Sequence, residues 1–375
     1  MKQRFLLFAT MSNKVVLILL FFTGLLFSQE NENSFDFVDA NYFYGTILRH
    51  NKDISHLIKG HPEGILLSYN RRTFGTKRWQ QVYNYPDWGL SFLYQNPKNK
   101  VLGENYGIHG HYNFYFFRRN LLLRLGSGIT YNSNPFDLDT NFKNNAYGSH
   151  LMNSTYLLLN YNKQNIFKGI GLQAGITLIH YSNANVKSPN SSTNTVAVNL
   201  GLQYDLDKDS GAAHFRIENF ENFSEAIKFN LLLRFGVNES DYIGLGQQPF
   251  LVISAYADKR LSFLSSIQFG VEVFFARFLQ EEIKYVAAAF PNFGVSGDED
   301  YKRVGLFMGH GLHISKLAFV TQFGYYVYYP YDFQGRAYIR AGMNYYFHKN
   351  IFGGITLKAH GGKAEAVEFG IGIRI

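Results

Sequence analysis

Residues 172–183 read Leu172-Gln-Ala-Gly-Ile-Thr-Leu-Ile-His180-Tyr-Ser182-Asn183. Counted in twos, Leu172, Ala174, Ile176 and Leu178 make an apolar row that ends in His180 and Ser182. The alternate row, Gln173, Gly175, Thr177, Ile179 and Tyr181, is mixed and small. Side chains two apart on a strand share a face, so His180 and Ser182 sit side by side at the end of a greasy face. The next periodic stretch repeats the pattern. Asn194 leads the row Val196, Val198, Leu200, Leu202 and Tyr204, opposite Thr195, Ala197, Asn199, Gly201 and Gln203. Two neighbouring strands thus carry His, Ser and Asn on one hydrophobic face, near one shared loop.

The same alternation runs from end to end. Tyr106, Ile108, Gly110, Tyr112, Phe114 and Phe116 form one such row, and Ile227, Phe229, Leu231, Leu233 and Phe235 another. Ala337, Ile339, Ala341, Met343 and Tyr345 follow, then Val367, Phe369, Ile371, Ile373 and Ile375. Further strands are expected near 41–50, 63–71, 88–95, 119–131, 150–162, 249–258, 263–277, 302–314, 316–328 and 351–360. Turn-rich pieces such as Asn96-Pro-Lys-Asn99 and Ser188-Pro-Asn-Ser-Ser192 separate them. One face of each strand suits hydrocarbon and the other a polar or tightly packed lumen. The pattern predicts an all-β, antiparallel transmembrane β-barrel of the outer membrane over residues 29–375. At about ten residues per strand it should have about 14 strands, within a range of roughly 12–16. Closure favours an even number, with both chain ends on the periplasmic side. A soluble sandwich would bury its apolar faces, whereas Tyr325, Tyr326, Tyr328, Tyr329 and Tyr331 fit a membrane-interface girdle. No linker or composition shift divides the chain. The least strand-like segment is 207–225, where a short helix is expected.

Residues 1–28 read as an export signal. Lys2, Arg4 and Lys14 precede the apolar run Val15–Phe27, which is too short to span a bilayer as a helix. Removing them takes three positive charges from the formal net charge of +8, leaving +5. The basic residues are spread along the chain, which excludes a nucleic-acid footprint. Cysteine is absent, so disulfides and thiolate chemistry are excluded. Aromatics make up 17% of the residues and the chain holds only 8 prolines, a composition that suits long strands with interfacial side chains.

A serine hydroxyl becomes a nucleophile when a base takes its proton, and histidine is suited to that near neutral pH. Ser182 and His180 are therefore the expected nucleophile and base. Asn194, in phase on the adjacent strand, can accept the second ring N–H and hold the tautomer. The backbone N–H after Ser182 or the Asn190 side chain could serve an oxyanion. Elsewhere, His109 and His111 share a face with Asn113 and are expected to line the lumen. Asp298-Glu299-Asp300 reads as a solvated acidic turn rather than a calcium site. No metal site and no cofactor is expected.

The His-x-Ser-x11-Asn pattern of His180, Ser182 and Asn194 resembles outer-membrane phospholipase A. His180-Tyr181-Ser182-Asn183-Ala184, followed by Pro189-Asn190 and the strand from Asn194, also resembles the lipid A 3-O-deacylase (acyloxyacyl hydrolase) family. That resemblance implies an outer-membrane esterase that removes an acyl chain from lipid A. It implies Ser182 as nucleophile, His180 as base, and Asn183, Ala184 and Asn190 as oxyanion-binding residues. The best-known deacylases carry Glu where this chain has Asn194, and they are eight-stranded barrels of less than half this length. The expected partners are lipid A or lipopolysaccharide in the outer membrane and, in a homodimer, a second copy of the chain. Two other functions compete: a calcium-dependent phospholipase A, and a porin or transport barrel with no enzymatic role.

Overall fold

The computed structural model describes residues 35–206, 215–218, 223 and 225–375. The export signal expected over 1–28 lies outside the described residues, as does much of the 207–225 segment. Among the described residues sixteen antiparallel strands form, at the upper end of the expected range. The first eight are β1 (Asp36–Leu48), β2 (Glu63–Arg71), β3 (Asp87–Asn96), β4 (Asn105–Phe116), β5 (Leu121–Asn132), β6 (Leu151–Phe167), β7 (Ile170–Ser182) and β8 (Thr193–Asp205). The rest are β9 (Lys228–Asn238), β10 (Gln248–Arg260), β11 (Ser265–Ala276), β12 (Arg303–Ile314), β13 (Leu317–Tyr328), β14 (Ala337–His348), β15 (Ile351–His360) and β16 (Lys363–Arg374). Among the described residues, no helix is long and apolar enough to cross a membrane.

The strands do not close into one continuous barrel over 29–375. β8 returns to β1, pairing from Leu48 with Asn194 to Phe37 with Asp205. β16 returns to β9, with Phe369 opposite Phe235 and Arg374 opposite Asn230. The result is two closed eight-stranded barrels. Their junction falls in the segment that reads as least strand-like, although no linker was legible there. Eight strands enclose a bore that side chains can fill, whereas sixteen in one ring leave an aqueous channel.

Both lumens are filled. In the first barrel, Arg124 is fully buried and reaches both Asp39 oxygens at 2.6 and 3.0 Å, Ser68 at 2.7 Å and Asn113 at 2.7 Å. His111 bonds Ser91 and Asn70, and His109 bonds Ser154, so this pair lines the lumen. In the second barrel, Arg340 takes Glu368 at 2.6 and 3.0 Å and Glu272 at 2.6 Å. Glu365 there gathers Arg303, Lys358 and His360. Such buried charges persist because each is paired and further hydrogen-bonded.

The outer walls are apolar. Leu172, Ile176, Leu178, Val198, Leu200 and Leu202 are exposed, while Gln173, Thr177, Asn199 and Gln203 point inward and are buried. The tyrosine cluster divides between the two sides. Tyr325 and Tyr328 face outward, but Tyr326 and Tyr329 stack inside the second barrel with ring centroids 5.0 Å apart. Only the first pair can serve an interface girdle. Two helices lie in connections, α1 (Arg78–Val82) and α2 (Arg277–Ala289).

Candidate active site

The β7–β8 hairpin places His180 directly opposite Asn194. Both belong to the row that faces away from the lumen. His180 Nδ1 lies 2.7 Å from Asn194 Oδ1, so the amide oxygen accepts the ring N–H. This fixes the tautomer with Nε2 as the free, basic nitrogen. Two carboxylates that could have oriented His180 in place of Asn194, those of Asp205 and Glu218, belong to the other end of the barrel. Asp205 closes β8 and pairs with Arg72 at 2.6 Å. The Glu218 backbone N–H donates to Gln81, a residue of α1 in the β2–β3 connection.

Ser182 shares the outward phase but is buried, because the connection 183–192 folds back over it. Its hydroxyl donates to Asn190 Oδ1 at 3.1 Å and accepts the Ala184 N–H at 2.9 Å. The Asn183 N–H also donates to Asn190 Oδ1, at 3.0 Å. Among the described residues, no hydrogen bond joins the His180 ring to Ser182. The five sequence-predicted partners of Ser182 are thus gathered at one hairpin end. Asn190 differs in detail, presenting its oxygen to Ser182 and Asn183 rather than an N–H.

The loop has an unusual course. Ala184 and Asn185 are both left-handed, with φ of 53° and 62°. For a side-chain-bearing residue this costs on the order of 1–3 kcal/mol and persists only where surrounding contacts hold it. Several do. Ser191 and Ser192 donate backbone N–H groups to Asn145 and Ala146. Gly148 approaches so closely that a Cβ there would stand 2.3 Å from the Lys187 carbonyl oxygen. Tyr147 bonds Thr193 through its hydroxyl at 2.5 Å. His50, after β1, reaches the Ser191 carbonyl at 3.1 Å. These supports come from distant connections with no local motif, so periodicity could not reveal them.

Among the described residues, no group of three His, Asp or Glu side chains is placed to hold a metal ion. Glu299 of the acidic turn accepts the Ser296 and Gly297 N–H groups, and Asp300 pairs with Lys302 and Tyr328. A depression of about 770 Å³ lies on the outer wall around Leu67, Tyr69, Leu90, Phe92 and Tyr204. It sits toward the far end of the strands from His180, and no histidine lines it.

The chain matches the family model described as lipid A 3-O-deacylase (PagL) over residues 63–203. It matches the model described as acyloxyacyl hydrolase, C-terminal domain, over residues 227–375. The gap between the matches coincides with the junction between the barrels. No curated protein matches the chain. Similar solved structures include a porin triple mutant from Rhodopseudomonas blastica, at 7% identity and a TM-score of 0.20, covering 91% of this chain and 99% of that one. A second engineered variant of that porin has the same identity and coverage, with a TM-score of 0.19. Likenesses this distant carry no argument.

Proposed function

Because the chain belongs to the lipid A 3-O-deacylase and acyloxyacyl hydrolase family, we propose that it is a serine carboxylic-ester hydrolase of the outer membrane that removes an ester-linked acyl chain from lipid A. The observation that carries this reading is the His180–Asn194 hydrogen bond beside Ser182 on the outward, apolar wall of the first barrel. An acyl chain lying along that wall brings its ester to the hairpin end. The outer membrane is the setting in which such a wall meets both hydrocarbon and lipid A.

In this reading His180 Nε2 takes the Ser182 proton as Oγ attacks the ester carbon. Asn194 steadies the imidazolium through Nδ1–H. The negative charge on the former carbonyl oxygen is met by N–H groups of the Asn183–Ala184 turn and by the Asn190 amide after it turns. His180 then returns the proton to the departing sugar hydroxyl, leaving an acyl-serine. Water, deprotonated by His180, attacks the acyl-serine and releases the fatty acid. Asn in place of a carboxylate gives the base orientation without a counter-charge, which favours a slower enzyme than one with Glu.

Two competing readings fare less well. A pore needs an open lumen, and both lumens are occupied by hydrogen-bonded side chains. A calcium-dependent phospholipase needs oxygen ligands near the oxyanion, but residues 184–193 contain no Asp or Glu. Glu239, which meets the loop from the turn after β9, has its carboxylate occupied by the Ser188 and Gly246 N–H groups. The test is mass spectrometry of lipid A from cells with and without the protein, and of purified lipid A and phospholipid treated with it in chelator or calcium. Loss of one acyl mass from lipid A in chelator is expected. Cleavage of phospholipid alone, only with calcium, would replace this reading by the phospholipase.

A further inference from the structure

We infer that the second barrel positions the oxyanion loop of the first, and that Glu239 is the positioning residue. The inference rests on the serine-esterase reading of Ser182. Glu239 follows β9, in the turn to β10, and the loop it meets belongs to the β7–β8 hairpin. The two residues bond reciprocally: the Glu239 N–H donates to the Asn185 carbonyl at 3.0 Å, and the Asn185 side-chain Nδ2 donates to the Glu239 carbonyl at 2.7 Å. The Glu239 carboxylate then accepts the Ser188 N–H at 2.8 Å. Ser188 Oγ donates to the Ser240 carbonyl at 2.5 Å, and Gln247 Nε2 to the Val186 carbonyl at 2.7 Å.

These contacts are built rather than incidental. Asn185, Ser188, Glu239 and Ser240 are all nine-tenths or more buried. The clamp is itself braced, since Ser240 Oγ donates to Glu282 of α2 at 2.6 Å and Gly246 donates to the second Glu239 oxygen. Buried N–H groups are almost always partnered, and removing the partner is costly. The contacts fall on the residues between Ala184 and Asn190, the two ends of the oxyanion arrangement, and they hold the left-handed turn at Ala184–Asn185. Each barrel closes its own sheet without the other, so the strand pairing does not require this ladder. Its consequence falls on the loop geometry, where a displacement of about 1 Å can cost about 100-fold in rate.

The test compares full-length Glu239→Ala, Glu239→Gln and Ser182→Ala, each shown to be folded by heat-modifiable gel mobility and circular dichroism. Glu239→Ala should lower kcat about 10- to 100-fold with KM changed less than about threefold. It should also speed amide hydrogen exchange across 183–190. Glu239→Gln keeps one acceptor for the Ser188 N–H and should restore kcat to within about threefold of the parent. Normal kcat or unchanged loop exchange in Glu239→Ala, beside an inactive Ser182→Ala, overturns the clamp and leaves the esterase reading standing. Equal impairment of the Ala and Gln variants also overturns it. Activity surviving in Ser182→Ala removes the site assignment, and this inference with it.

Discussion

At Ser182 the hydroxyl bonds Asn190 and Ala184 in this structure, whereas the proposed reaction has it donate to the His180 imidazole instead. The reaction requires the second arrangement, and His180 is already held for it by Asn194. Ser182→Ala and His180→Ala should each lower kcat by about 10³-fold or more, because they remove the nucleophile or its base. Asn194→Ala should fall less, by about 10- to 100-fold, since it only orients the ring. Rates of fatty-acid release from purified lipid A measure all three. Near-parent activity in either of the first two would remove the assignment. The types, spacing and shared face of His180, Ser182 and Asn194 were legible, because a strand has a fixed period of two. The opposition of His180 to Asn194 across the hairpin was inferred from phase alone and is matched by the register. The acceptor role of Asn190 was not legible, since a loop has no period to say which amide atom points inward.

Strands carry the next level. Every stretch with alternating polarity became a strand close to its expected limits, and the inward rows meet in dense polar networks. Arg124 and Asp39, on β5 and β1, are both buried and span the first lumen. Breaking such a pair leaves an uncompensated charge, so Asp39→Ala should destabilise the barrel by about 3–5 kcal/mol. Urea unfolding of the protein in bilayers or micelles, followed by tryptophan fluorescence, measures this. A loss below about 1 kcal/mol would show that water or another side chain replaces Asp39. Both helices, α1 and α2, escaped the reading. α2 begins where β11 ends, and its buried Phe278, Leu279, Ile283 and Val286 follow a helical period. That signal was present in the sequence but adjoined a long β pattern that masked the change of period.

Over the whole molecule, the two closures decide what can pass through it. The lumens are crossed by the buried ion pairs Arg124–Asp39 in one barrel and Arg340–Glu272–Glu368 in the other. Protein reconstituted in planar bilayers should therefore show no stable channel conductance. Steady, porin-sized current steps would restore the transport reading. The second barrel then has a different purpose from conduction, and its contact through Glu239 and Ser240 with the loop beside Ser182 supplies one.

The amino-acid sequence alone determined the class of fold, the position of the strands, which face of each meets hydrocarbon, and the three side chains of the candidate site. Each of these follows from local periodicity or short spacing. Tertiary structure alone decided that β8 pairs with β1 and β16 with β9, because edge-to-edge pairing joins residues more than a hundred positions apart and leaves no trace in any window. It also decided that Asn185 and Ser188 rest on Glu239. A carboxylate and a loop N–H carry no mark of each other in the sequence, and only the fold brings a donor and an acceptor from separate barrels to 2.8 Å.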